Sequence, residues 1–201
     1  MVSMRAALGF RAHAGWAAAV AVAGTPAVLA VIDRRRLEIA DPTDGDAKQP
    51  YHAAEGLALA DAARLVRRCT DGSQRLARAE VGAMLAGLRA SGHRVVGCGL
   101  LQGSGRALPD LAGILASHAL IHTAEGQMFR DVLAEAGRHH DLPVLAVRER
   151  ELMARCTADL GLSADQITRR LAEFGRALGP PWRQDEKVAT LAAWLALAAA
   201  R

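Results

Sequence analysis

The strongest constraint on this chain is the phasing of apolar residues along its first forty positions. Ala6-Ala7-Leu8-Gly9-Phe10 is a short apolar run, and a second begins at Trp16 after the small residues Ala14 and Gly15. Gly24-Thr25-Pro26 interrupts it as a turn, and Val28-Leu29-Ala30-Val31-Ile32 follows with the β-branched content of a strand. Leu37 and Ile39 alternate with Arg36 and Glu38, the period-two pattern of a strand with one wet face. Residues 1–40 therefore read as a three-stranded antiparallel meander. Segment 41–50, with two prolines, one glycine and three aspartates, reads as an exposed loop.

The charge-free stretch 17–32 resembles a leader or a membrane span, but the turn at Gly24-Thr25-Pro26 falls inside it, and Arg11 and His13 interrupt any leader core. Cys69, Cys98 and Cys156 are odd in number and far apart, so they build neither a disulfide framework nor a CxxC metal knuckle. A cytoplasmic protein with no membrane partner is expected.

Beyond residue 50 the period becomes helical. Leu57, Ala60 and Ala63 share a face, with Leu59, Ala62 and Val66 beside them. Asp71-Gly72-Ser73 is expected to end this helix, and Leu76, Ala79, Ala83 and Leu88 to form another that stops at Ser91-Gly92. Val95 to Leu101 reads as a buried strand, 108–140 as largely helical, and Pro143-Val144-Leu145-Ala146-Val147 as a further buried strand. Ser163 with Gln166 forms a capping-box pattern, Gly179-Pro180-Pro181 is a stop, and 185–200 is an alanine-rich final helix. The 51–201 region thus adds helix crossovers, two parallel strands and terminal helices to the meander. The expectation is a single α/β domain over 1–201.

All but two of the 25 basic residues are arginine, and the surplus of positive charge lies in the first half, notably at Arg34-Arg35-Arg36 and at Arg64, Arg67 and Arg68. Arginine's planar fork suits phosphate, so an anionic partner is one reading and a solvated face is the other. Gly103-Ser104-Gly105-Arg106 follows a strand and precedes a helix, where backbone N–H groups can cradle an anion or merely make a tight turn. The sequence contains no Ser-His-Asp order or GxSxG elbow, and Cys98 sits in an apolar strand where a thiol is inert.

The element order, together with Leu8-Gly9-Phe10-Arg11-Ala12-His13-Ala14-Gly15-Trp16-Ala17 on the first hairpin, resembles the ribonuclease H-like superfamily, and within it the Holliday-junction resolvases. Gly9 and Gly15-Trp16 match that branch's Gly-x-Asp-x-Gly run and Gly-aromatic step, and Asp185-Glu186 opens a helix like the one bearing its final carboxylate. The resemblance implies carboxylates that hold two Mg²⁺ ions around a phosphodiester. Here Arg11 stands at the first-strand aspartate, and the strand expected to give another acid ends Leu100-Leu101-Gln102. Glu55 and Asp185 stand where the family places acids.

His118, His122 and Glu125 fall at i, i+4 and i+7, a spacing that puts two imidazoles and a carboxylate on one helix face. They are candidate metal ligands, or polar anchors toward backbone carbonyls or Arg130. The pattern His52-Ala53-Ala54-Glu55-Gly56 recurs as His122-Thr123-Ala124-Glu125-Gly126, so His52 joins the set if the two segments meet.

These readings lead to a ribonuclease H-like protein that binds nucleic acid or another phosphate-bearing ligand without two-metal catalysis. Its contacts would be Arg11, Arg34, Arg35, Arg36, Gly103, Gly105 and Arg106, with no cofactor. One alternative is a phosphodiesterase or hydrolase dependent on Mg or Zn, using Glu55, Asp185 and Glu186 with the His118/His122/Glu125 face. Another is a homo-oligomeric structural module, paired through the alanine-rich final helix.

Overall fold

The computed structural model describes residues 3–25, 28–103, 105 and 107–200. Strands β1 (Met4–His13), β2 (Trp16–Gly24) and β3 (Leu29–Glu38) form the expected antiparallel meander. Strands β4 (His93–Gln102) and β5 (Val144–Arg148) then add in parallel on the other side of β1, giving the sheet order β3-β2-β1-β4-β5. Every residue of β2 from Ala17 to Ala23 is buried, which accounts for the lack of charge in the first part of the 17–32 run. Among the described residues, no helix is long and apolar enough to cross one.

Helices cover both faces. Helix α1 (Pro50–Ala53), α2 (Leu59–Ala90), the short α3 (Leu111–Leu115) and α4 (His118–His139) lie on one side. There Val81, Met84, Phe129 and Leu133 pack on Leu8, Phe10 and Leu100. A 3₁₀ turn (Glu149–Glu151) leads from β5 into α5 (Leu152–Leu160), α6 (Ala164–Leu178) and α7 (Gln184–Ala199) on the other side. Ala7, Leu101, Ile167 and Trp194 belong to that second core. Strand alternation thus sends even-numbered β1 residues toward α2 and α4, and odd-numbered ones toward α7.

Helix α7 owes its position to two glycines that pair across β1 and β4, Gly9 and Gly99. A Cβ on Gly9 would stand 1.9 Å from the Ala189 carbonyl oxygen, and one on Gly99 2.1 Å from that of Ala192. The helix backbone therefore rests directly on the centre of the sheet. Its residues from Val188 to Leu197 are all buried within the chain.

One expectation is corrected. The helix over 59–90 runs unbroken through Asp71-Gly72-Ser73, because its buried face (Cys69, Ser73, Ala77, Val81, Met84, Leu88) keeps helical spacing across that point. Gly72 lies half-buried beside that face, where glycine costs about 1 kcal/mol relative to alanine, less than the packing of the following turns supplies. The 41–50 loop is mostly exposed, as expected, and is held at a few points. Ala47 and Pro50 are buried, and Asp44 and Asp46 both pair with Arg68.

Candidate functional site

The carboxyl ends of the parallel strands form the place where open α/β sheets bind ligands. Arg11 lies one alternation beyond Gly9 on the α7 side of β1, and the first turn of α7 stands beside it. Its Nη1 is 2.9 Å from Asp185 Oδ1 and its Nη2 is 3.1 Å from Glu149 Oε1, in the 3₁₀ turn after β5. His13, two residues on, brings Nε2 to 3.1 Å from the same Asp185 oxygen. Its ring stacks on Trp16 at 4.1 Å, and the Arg36 guanidinium lies 3.9 Å over the Trp16 ring. Asp185 sits in the first turn of α7, where the helix dipole favours a negative charge.

Each remaining candidate among the described residues has a definite place. Glu186 accepts the Arg183 backbone N–H at 2.7 Å and closes the start of α7. Glu55 is exposed in the turn after α1, and among the described residues no side-chain bond joins it to Asp185. Arg34, offered above as a partner contact, clasps the end of α6 within the chain. Its guanidinium donates to the carbonyls of Leu178 at 3.1 Å, Gly179 at 3.0 Å and Pro180 at 3.2 Å, and to that of Pro181, satisfying the end of α6. Arg35 pairs with Asp33 and Arg36 with Glu38, so the arginine run is engaged within the chain.

Gly103 and Gly105 lie between two guanidinium groups. A Cβ on Gly103 would be 3.0 Å from Arg130 Nη2, and one on Gly105 3.2 Å from Arg148 Nη2. Gly105 has φ +69°, a conformation glycine adopts without strain. Arg130 is half-buried, which lowers its pKa, and Arg148 donates to Glu151 at 3.2 Å. Ser104 and Arg106 lie outside the described residues.

The two HxAEG segments meet. His52 of α1 stands 4.5 Å from His122 and 5.2 Å from His118, ring to ring. The buried Glu125 carboxylate accepts the His52 Nδ1–H at 2.7 Å and its backbone N–H at 3.2 Å. Glu125 thus orients His52, and His52 takes the place beside His118 and His122 that the sequence offered to Glu125. Cys98 and Cys156 are buried, and burial pushes each thiol up to about 12, out of range for nucleophilic chemistry.

The sequence did not single out Glu149, His13 or Arg148 as site residues, and Arg130 entered only as a partner for the His118/His122/Glu125 face. His13 shares Arg11's strand face by simple alternation, and Glu149 follows a strand end by one residue. Both signals were present.

The sequence matches no family model and no curated protein. Among solved structures it is similar to RuvC of Thermus thermophilus in complex with a Holliday-junction substrate, with TM-score 0.55, 8% identity, and coverage of 95% of this chain and 91% of that one. A second Thermus thermophilus RuvC structure gives TM-score 0.53 and 10% identity over 94% and 92% of the two chains. Strand order, helix placement and these likenesses agree: the chain has the ribonuclease H-like fold, in the arrangement seen in the two RuvC structures.

Proposed function

We propose that this chain binds nucleic acid across the carboxyl ends of β1, β4 and β5 and does not cut it by two-metal chemistry. The observation that carries this reading is Arg11, whose guanidinium takes the two carboxylates, Asp185 and Glu149, that stand at that end of the sheet. A Mg²⁺ pair needs such oxygens as ligands, and a cation already among them repels the ions. Arg130 and Arg148, beside the Gly103 to Gly105 turn, are the side chains we assign to phosphate, with the glycine backbone allowing close approach. Support for nucleic acid as the partner comes from the fold, since one similar structure holds a Holliday-junction substrate. A cytoplasmic location fits this reading.

Fluorescence anisotropy with labelled duplex and four-way-junction DNA tests it. Binding should not require Mg²⁺ and should persist in EDTA. Its logarithm should fall with the logarithm of salt at a slope of about −0.9 per phosphate contact, and Arg148→Met should lower that slope by one such step. Absence of binding at low salt, or Mg²⁺-dependent cleavage of either DNA, would refute the proposal.

A further inference from the structure

The three-histidine cluster lies apart from the Arg11 centre and is not used by the proposed binding surface. His118 and His122 are one helical turn apart on α4, with their Nε2 atoms 3.1 Å from each other. Each of the three rings, His52 included, offers one nitrogen such that all three lie within 4.8 Å of one another. Ligands on a tetrahedral zinc ion, at Zn–N distances of about 2.0–2.1 Å, stand about 3.3 Å apart, so a small rotamer adjustment closes this set around one ion. The Glu125 contact is a second and independent sign. A carboxylate only 5% exposed receives Nδ1–H of His52 and so leaves Nε2 as that ring's free nitrogen. A metal-binding histidine is commonly held in this way, its second nitrogen donating to a carboxylate that fixes tautomer and orientation. A histidine fulfilling only a packing role has no need of a buried acid behind it.

We propose that His52, His118 and His122 bind a divalent transition metal, zinc by preference, with Glu125 as the positioning carboxylate behind His52. Three neutral imidazoles and no thiolate favour zinc over the harder Mg²⁺ and Ca²⁺. His118 and His122 are exposed, so the fourth coordination position faces solvent and can take water or a ligand atom. The ion would tie the four-residue helix α1, which follows the 41–50 loop, to the start of α4.

Zinc titration of the metal-free full chain by calorimetry, with Co²⁺ substitution read by visible absorption, tests the site. The wild type should bind a single zinc ion per chain and give the d–d bands of four-coordinate Co²⁺. Glu125→Gln should weaken zinc binding by about 10- to 100-fold. His118→Ala and His122→Ala, both at exposed positions, should weaken it further and abolish the Co²⁺ bands while leaving the circular dichroism unchanged. His139→Ala, at the far end of α4, should bind as the wild type does. Zinc affinity that survives the paired loss of His118 and His122, or that falls equally in His139→Ala, would overturn the proposal.

Discussion

If Arg11 stands where metal ions would otherwise bind, replacing it should both weaken the fold and change its response to Mg²⁺. Its two ion pairs, at 2.9 and 3.1 Å, differ in exposure. Glu149 is 49% exposed, and the Asp185 side chain 25%. The Glu149 pair is worth about 0–1 kcal/mol at such exposure, and the more buried Asp185 pair about 1 kcal/mol, because His13 and the helix dipole remain to Asp185 when Arg11 is gone. Arg11→Met should thus cost about 1–2 kcal/mol, a Tm drop of roughly 2–8 °C for a chain of this size. Arg11→Asp sets a third carboxylate beside the other two and should be less stable still in EDTA. It should then recover in Mg²⁺. At 10 mM ion and a Kd of about 1 mM, the gain is about 1.4 kcal/mol, or roughly 3–6 °C. Differential scanning fluorimetry of wild type, Arg11→Met and Arg11→Asp, each with EDTA and with Mg²⁺, reads all of this. An equal Mg²⁺ shift in the wild type, or none in Arg11→Asp, would refute the reasoning.

Three further outcomes follow from the packing and the charges. Gly99→Ala should lower stability by about 1–3 kcal/mol in chemical denaturation, because its Cβ would fall 2.1 Å from the Ala192 carbonyl oxygen and must push α7 off the sheet. Gly72→Ala, at a half-buried helical position where the added Cβ meets only the Arg75 side chain at 3.8 Å, should raise stability in the same assay. Glu135 accepts three hydrogen bonds from the Arg78 guanidinium, which holds its pKa below the ordinary value of 4.5. Its contribution is therefore complete above the unfolded-state value and is lost as pH falls through the folded one. Acid unfolding curves of Glu135→Gln should show a shallower loss of stability below about pH 4.5 than the wild type.

The meander was legible because strand alternation is a local signal, written within ten residues. The long helix was misread at Asp71-Gly72-Ser73 because turn chemistry there is also local, whereas the face that overrides it extends from Cys69 to Leu88. Charge was the least legible property. Arg34 finds its partners 144 to 147 residues away, and nothing near it in sequence distinguishes a clasp for a helix end from a surface for phosphate. Arg11 and Asp185 were visible through the family resemblance, yet their contact with each other and with Glu149 depends on α7 and β5 arriving at one strand end. The repeated HxAEG pattern did carry spatial information, since its two copies supply the ring and the carboxylate of a single hydrogen bond.

The paired glycines under α7 have an implication for how such a site changes over time. Because main chain meets main chain there, the helix has little freedom to slide or tilt, and whatever stands at position 185 is held at a nearly constant offset from whatever stands at position 11. Side chains at those two positions can be exchanged, acid for base or the reverse, without rebuilding the frame that presents them. A lineage on this scaffold can lose one chemistry and gain another by substitution alone, with its architecture preserved long after its sequence has diverged.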